Sequence, residues 1–583
     1  MLTLIADAET NGFLRQMTCV HMLQIGTEDG DDVDVYADQP GYPPIQEGLD
    51  RLSAADRVVF HNGAKFDFHA INKVYPGTLR PEQIWDTLLA ARLLFNEEKE
   101  HSLKAWGKRL GIEKLDYEGG FETFNEDMVV YGAQDIRVGR ALYHYLLKKM
   151  EGWEWDQSLQ IENLFAIVIG LQEQNGFPLN VAKVAAKVGD LKQEQHDLTQ
   201  QLQAAFPPII HERYSPKTGK RLKDKIEVFN PGSGQQVARR LTERYGWKPT
   251  KFTDSGIPAT DEQVMAGLKY PEARLLLRYA RIAKMLGQMS DGKNAWLKLV
   301  DAETGRIHGA VNTLGTGTGR CTHFKPNVAQ ADKELREPWE PRKGWVQVGC
   351  DAEGLEFRML AHYMARLDGG RTTDTVLNGN KSKGTDIHSL NQRAGSLYLR
   401  DSAKTAIYAL IYGAADPTLG KTVFDDARAA GKPRPVGNQK LHGARLREAL
   451  GKGTPGLTKL IEQVVKTAKK QGYVKGIDGR KIKVRSSHSA FNFLLQGGGA
   501  IAMKVALNIF HFERVPARGW VHARDFAYLA NVHDEVQVEC VPELAKAIGA
   551  ELADCIREAG ERLGIRCPLA GSFDIGANWH ETH

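Results

Sequence analysis

The run YLANVHDEVQVEC, Tyr528 to Cys540, sets His533, Asp534 and Glu535 in the middle of a valine-rich, strand-like stretch. Side chains that follow one another along a pleated strand face opposite ways, and two consecutive carboxylates are costly to desolvate unless a cation balances them. Both flanks read as strands, so the simplest geometry is a hairpin with these three residues near its tip. A second strand-like run, VQVGCDAEGLE, reaches Asp351 at its end, and pairing of the two runs would bring another carboxylate to the same sheet edge. Two aspartates from separate strands could bridge a pair of Mg²⁺ ions roughly 3.5–4 Å apart, an arrangement that serves in-line phosphoryl displacement. An ion-paired hairpin tip would explain His-Asp-Glu taken alone.

A third element weighs against that plainer reading. In RDSAKTAIYALIYGAAD, Arg400, Lys404, Tyr408 and Tyr412 recur every four residues. Each step drifts roughly 40° on a 3.6-residue helix, so the four share one stripe about 120° wide. An apolar stripe would be ordinary core and a fully charged one a solvated face. Two cations followed by two aromatic rings suit a triphosphate at one end and a stacked base at the other.

A separate set of carboxylates opens the chain. Asp7 and Glu9 lie two apart in LTLIADAE and therefore on one strand face, and Asp67 closes HNGAKFD. Tyr131 and Asp135 in YGAQD lie four apart on a predicted helix, again on one face. Four carboxylates and a tyrosine from three elements could hold two divalent metals and orient a water for phosphodiester hydrolysis. Unrelated surface acids are the alternative, and the ordered set weighs against it.

At 583 residues the chain exceeds a single core, which predicts three or four compact units. With 42% hydrophobic and 26% charged residues it matches a globular enzyme rather than a disordered, fibrous or membrane chain. The best candidate for a membrane segment, LFAIVIGL at Leu164 to Leu171, has eight residues where roughly 20 are needed, so a buried helix is expected. Asp7 arrives too early for a secretory signal, and six scattered cysteines show neither a CxxC pair nor zinc spacing. A cytosolic protein with reduced cysteines is the expectation.

Charge is unevenly spread along the chain. Residues 1–150 carry 16 Lys and Arg against 24 Asp and Glu, whereas residues 421–485 carry 17 against 5. A basic segment attached to an acidic one reads as a polyanion-binding surface beside a cation-holding site, although solvated helix faces would give the same count.

The elements that must position these groups follow from local pattern. LTLIADAE and DRVVFHNG (Asp56 to Gly63) read as strands and Leu88 to Leu147 as largely helical, giving an α/β domain that ends near residue 150. Ile161 to Leu299 reads as mostly helical, interrupted by a polar, basic loop at HERYSPKTGKRLKDK, His211 to Lys225. A strand in GWVQVGCDAE precedes a helix over Leu355 to Leu367, and residues 386–470 read as helices broken by AAGKPRPVGNQK, Ala429 to Lys440. LGKT at Leu419 to Thr422 lacks the first glycine of a phosphate loop, because Ala415 stands there. GTGTGR lacks the doubly wound context of a dinucleotide site.

Taken together, the motifs resemble family A DNA polymerases, most closely their T-seven-type bacteriophage replicative branch. DAETNG, HNGAKFD and YGAQD are similar to the three 3′→5′ exonuclease motifs. NGFPLN, GTGTGRCTH, VGCDAEGLE, DIHSLNQ, RDSAKTAIYALIYG, GIDGRKIKVRSSHSAFNFLLQ and VHDEVQV follow in the order of the polymerase motifs. The resemblance implies an α/β plus α+β multidomain fold: an RNase H-like exonuclease domain at 1–150, a mainly thumb region at 151–310, palm at 311–385, fingers at 386–484 and palm again at 485–583.

Carried over by position, Asp351 and Asp534 are implied palm metal ligands, with the Ala352 carbonyl assisting and Glu535 secondary. Asp7, Glu9, Asp67 and Asp135 would ligate metal in the exonuclease, with Tyr131 beside them. Glu356 resembles a steric gate against a ribose 2′-hydroxyl, and Arg400, Lys404 and His388 match triphosphate contacts, Lys404 also as proton donor to pyrophosphate. Tyr412 would stack near the templating pair, and Tyr408 implies ready acceptance of dideoxynucleotides. Arg320, Asn492, Gln496 and His533 match contacts to DNA.

Implied cofactors are two Mg²⁺ ions at the polymerase site and two divalent ions at the exonuclease site, with Mn²⁺ able to substitute. Implied partners are primer–template DNA, dNTPs, a phage helicase–primase and a single-strand-binding protein, around a monomeric enzyme without a membrane partner in the cytoplasm of an infected host. Two departures stand out. Gln330-Ala331-Asp332 replaces the usual Gln-Ile-Pro, and the thumb insertion that binds host thioredoxin in phage relatives is reduced to the loop near SPKTGKRLKDK, so thioredoxin dependence is not expected. A single-subunit RNA polymerase should lack both Glu356 and the N-terminal nuclease; a DNA-binding nuclease or scaffold with a silent polymerase site should lack Asp351, Lys404 or Asp534.

Overall fold

The computed structural model describes residues 1–253 and 255–583. The first 150 residues build a five-stranded mixed sheet. The strand Thr3–Thr10 sits at its centre, antiparallel to Val20–Thr27 and parallel to Arg57–Phe60. Seven of its eight residues are buried, because helices and neighbouring strands cover both faces. The helix Glu126–Met150 packs on this strand, capped by the Asn125 side chain, which accepts from the Met128 amide. The expected long helical stretch is therefore three helices, Thr87–Leu94, Leu103–Leu110 and Glu126–Met150, the last two separated by an irregular segment that starts at Gly111.

The helix Asp156–Asn175 connects this unit to the rest. It is buried along much of its length, polar Ser158, Glu162, Asn163 and Gln172 included, which suits an element packed between two bodies. Lys65, two residues before Asp67, donates to the Glu173 carboxylate at 2.6 Å and to the Val311 carbonyl at 3.0 Å. The same Glu173 oxygen accepts the Val311 amide at 2.6 Å. Deeper in, Glu162 is fully buried and accepts from Lys504 at 2.7–2.8 Å and from Arg480 at 2.7 Å, so the charges are satisfied in place.

Two sequence expectations are corrected here. Residues 211–225 are not a loop: Ile209–Tyr214 and Arg221–Glu227 form an antiparallel hairpin, with Ile210 opposite Ile226. The Ser-Pro-Lys-Thr-Gly-Lys run that reads as loop composition is the turn of that hairpin, closed by the Ser215 amide on the Lys220 carbonyl. The longest apolar stretch is also not LFAIVIGL. The helical run Ser487–Ala517, 31 residues, is long and apolar enough to cross a membrane by length and composition, yet 83% of its most apolar window is buried inside the protein. It is a core helix, and its Lys504 is the ion-pair partner of Glu162.

A second sheet holds the other carboxylates. Its four antiparallel strands run in the order Phe526–Val532, Glu535–Cys540, Val346–Ala352, Gly571–Gly576. The helix Ala545–Arg562 packs across it. Helices Ile387–Ala394, Arg400–Ile411, Asp416–Ala429, Gln439–Gly453 and Leu457–Gln471 lie in the chain between its strands Val346–Ala352 and Phe526–Val532, with the Gly/Pro-rich break where the sequence puts it.

Candidate active sites

The strands Phe526–Val532 and Glu535–Cys540 are joined by a two-residue turn, His533-Asp534. His533 lies at φ +59°, a left-handed conformation that short polar side chains tolerate better than branched ones, and is solvent-exposed. The Asp534 carbonyl accepts the Ala352 amide at 3.0 Å, which seats the tip over the end of the Asp351 strand. Asp351 pairs with Glu535 across one edge and Ser572 across the other. Burial, then the neighbouring Asp534 and Glu535 charges, push its carboxyl up to about 7.

Glu535 is 3% exposed and already bound on both oxygens. One accepts from Trp579 Nε1 and Gln537 Nε2, each at 2.6 Å; the other faces His583 Nδ1 at 2.8 Å. Arg336 lies 4.5 Å over the Trp579 ring and 3.8 Å from Glu535. Trp579 to His583 can approach because residue 349 is glycine: a Cβ there would meet the Thr582 carbonyl at 2.1 Å. The segment therefore braces the sheet beneath Asp351.

The Arg400–Ile411 helix presents its stripe to this edge. Tyr408 stacks edge-on to Phe357 with centroids 5.1 Å apart, and Tyr412 lies 5.9 Å from Tyr408. Burial, then Glu356 and Asp534, push the Tyr408 hydroxyl up to about 12, so the stripe and the hairpin tip share one electrostatic environment. Tyr412 Oη donates to both Glu356 oxygens at 2.8–2.9 Å, and Arg320 approaches the same carboxylate at 3.3 Å. Lys404 is exposed. Burial, then the Arg400 cation, lower the His388 imidazole, whose Nδ1 is buried without a partner.

Arg400 is held by a residue to which the sequence reading gave no role. Its Nη2 donates to Asp386 Oδ1 at 2.8 Å and its Nε at 3.1 Å, while Asp386 caps the Ile387–Ala394 helix through the His388 and Ser389 amides. An Asp followed three residues later by Ser at a helix start is a readable cap; the grip on Arg400 is tertiary. Arg320, Gln496 and His533 line one open cavity of about 450 Å³. Asn492 lies one turn before Gln496 on the same helix, and its Oδ1 is buried without a partner.

In the first sheet Asp7 and Glu9 share one face, and the Ala8 amide between them donates to Asp67 Oδ1 at 3.2 Å. Burial, then Asp135, push Asp7 up to about 7; burial, then Asp7, Asp135 and Asp67, push Glu9 up to about 9; Asp67 is raised by burial and by Asp7. Each of these carboxylates therefore feels the charge of at least one other. Lys114, which sequence reasoning missed, ion-pairs with Asp135 and lies 4.5 Å over the Tyr131 ring. It sits in an irregular segment where no periodicity could have flagged it.

Among the described residues no three His, Cys, Asp or Glu side chains form a ready-made cation cage. The donors nevertheless fit Mg²⁺, which takes one or two carboxylates and completes its shell with water and phosphate oxygens. Asp135 Oδ1, buried without a partner, and the mutually repelling carboxylates around Asp7 and Asp351 are groups that a divalent ion would satisfy.

Comparison with known proteins gives three findings. A sequence model described as DNA polymerase family A matches residues 211–581. The DNA-directed DNA polymerases of Enterobacteria phage T3 and Escherichia phage T7 are each 32% identical, covering all of this chain and all of the relative, over alignments of 730 and 732 positions. The POL domain of Pol1 from M. smegmatis, in a complex with DNA primer-template and dNTP, superposes with a TM-score of 0.78 at 18% identity, covering 100% of this chain and 96% of that one. That last likeness concerns the fold.

Proposed function

Because this chain belongs to DNA polymerase family A and is a DNA-directed DNA polymerase of the phage T7 type, we propose that its two carboxylate sites divide synthesis and proofreading between them. The observation that carries the synthetic half is the seating of the Asp534 tip on Ala352, which sets Asp351 and Asp534 side by side at one sheet edge. Asp351, Asp534 and the Ala352 carbonyl would hold metal there; Asp7, Glu9, Asp67 and Asp135 would hold it in the N-terminal sheet. The expected group at each site is a pair of Mg²⁺ ions, with Mn²⁺ able to substitute, which when bound activates the attacking hydroxyl or water and neutralises phosphate charge.

The chain's own residues supply the rest. Arg400, His388 and Lys404 receive the triphosphate of a dNTP, and Lys404, exposed beside them, gives a proton to the departing pyrophosphate. Glu356, fixed by Tyr412 and Arg320, fills the space of a 2′-hydroxyl, while Tyr412 and Tyr408 form the aromatic floor for the incoming base. Glu535 acts from beneath: with both oxygens bound, it fixes the tip rather than meeting substrate. Arg320, Gln496 and His533, gathered on one cavity, and Asn492 on the same helix face would touch primer and template.

In the nuclease half, Tyr131 orients the attacking water and the carboxylates hold the frayed 3′ end, which reaches a distant pocket more readily when unpaired. We assign residues 1–150 to this exonuclease, 151–310 mainly to thumb, 311–385 and 485–583 to palm and 386–484 to fingers. The enzyme would work as a monomer in the host cytoplasm, beside a helicase–primase and a single-strand-binding protein. Thioredoxin dependence is not proposed, since only a short hairpin stands at Ile209–Glu227 and the phage relatives align over about 730 positions against 583 residues here.

A labelled primer–template incubated with Mg²⁺, with and without dNTPs, tests both halves. Lengthening with dNTPs and shortening without them are expected; shortening alone under both conditions would favour a nuclease with a silent polymerase site.

A further inference from the structure

The geometry points to Lys114 as a further positioning residue of the N-terminal nuclease site, gripping one oxygen of Asp135 so that the other is presented to a divalent cation. The inference rests on the nuclease reading above and adds to it a residue outside the three sequence motifs.

Lys114 follows the helix Leu103–Leu110 and is 17% exposed, and the Asp135 side chain is 8% exposed. Its Nζ donates to Asp135 Oδ2, while Asp135 Oδ1 is buried and has no partner. The two oxygens of one carboxylate are thus used unequally: one is spoken for, and the other is a desolvated acceptor that costs free energy until something binds it. The helix that carries Asp135 packs on the strand that carries Asp7 and Glu9, so the free oxygen belongs to the carboxylate face of that sheet.

The ammonium is itself fixed. It lies 4.5 Å over the Tyr131 ring, one helical turn before Asp135, and Gln134 Nε2 donates to the Glu113 carbonyl at 2.7 Å, which ties the backbone beside Lys114 to the same helix. The ammonium offsets one carboxylate of the four, which lowers the repulsion among them while leaving the others to attract a divalent ion. Groups behind a metal ligand that fix its orientation typically change metal affinity or activity by about 10–100-fold when removed.

Lys114→Met keeps the length and apolar stem but removes the charge; Lys114→Arg keeps the charge. Mn²⁺ binding would be titrated by the electron-paramagnetic-resonance signal of the free ion in the full chain carrying Asp351→Asn and Asp534→Asn, so that the N-terminal site is counted. Degradation of labelled single-stranded DNA would be measured in the otherwise native chain. Expected results are about tenfold weaker Mn²⁺ binding and about tenfold slower degradation for Lys114→Met, substantial recovery of both with Lys114→Arg, and unchanged primer extension. Equal or tighter Mn²⁺ binding by Lys114→Met would overturn the inference, since the ammonium would then be a bystander or a competitor. If the parent chain degrades no DNA, the nuclease reading fails, while the Mn²⁺ titration still decides the role of Lys114.

Discussion

Asp386 grips Arg400 through two guanidinium nitrogens while capping the helix that begins one residue later. One carboxylate thereby sets the spacing between His388 and Arg400, the two groups proposed to meet a triphosphate. Asp386→Asn should keep much of the cap and lose the charge, raising the KM for dNTPs several-fold with a smaller effect on kcat; Asp386→Ala should also cost about 1 kcal/mol of stability from the lost cap. Burial pushes the Asp386 carboxyl up, but Arg400 and Ser389 outweigh it and hold it well below its usual range. A depressed carboxyl stabilises the fold above its unfolded value of 3.8, and the gain fades as pH falls toward the folded value. The stability gap between parent and Asp386→Asn in urea should therefore narrow progressively below that pH.

Glu356 is held by Tyr412 on both oxygens, so its position does not depend on bound nucleotide. Glu356→Ala should raise ribonucleotide incorporation relative to dNTPs by at least about tenfold, as removal of a shaped contact does. Tyr412→Phe, which frees the carboxylate, should give a smaller rise. Competition between rNTP and dNTP on a primer–template reads both, and unchanged discrimination in Glu356→Ala would remove the gate assignment.

Tyr408 packs edge-on to Phe357, within reach of the Glu356 and Asp534 charges. The parent chain should terminate readily in excess ddNTP, and Tyr408→Phe should do so less. Elongation that continues unhindered in the parent contradicts the role given to the hydroxyl.

The two carboxylate clusters sit in different sheets. Asp351→Asn or Asp534→Asn should abolish extension and leave single-strand degradation intact; Asp7→Ala with Glu9→Ala should do the reverse. Joint loss in either variant, with the fold intact by circular dichroism, would argue for one shared site.

Primer–template affinity should fall steeply between about 50 and 200 mM salt as cations on phosphates are released, given the 17 Lys and Arg in residues 421–485. A flat response would place the DNA elsewhere.

The fold class was legible in the sequence, and so was the placement of several candidate site residues on shared helix faces and strand edges. Arg400, Lys404, Tyr408 and Tyr412 share a face because helical period alone dictates it, and Asp351 reaches Glu535 because both strand patterns end at the right residue. What stayed hidden depends on contacts between distant segments. Asp386 on Arg400, Lys114 on Asp135 and Trp579 under Glu535 carry no period. The hairpin at Ile209–Glu227 reads as a loop in sequence because its turn residues outnumber its apolar ones. The helix Ser487–Ala517 does not read as one long apolar stretch because Lys504 and a glycine triplet interrupt it, and its Glu162 and Thr313 partners, distant in sequence, account for the lysine.

The bridge from Lys65 through Glu173 to Val311 bears on engineering. Lys65 belongs to the segment that ends in Asp67, and Val311 lies in the short strand that leads toward Arg320, so one carboxylate pins the two segments together. A chimera that exchanges residues 1–150 for those of a relative without a lysine at this place would leave Glu173 with the Val311 amide but without its cation. Transplants should therefore carry the pin and its socket as one unit.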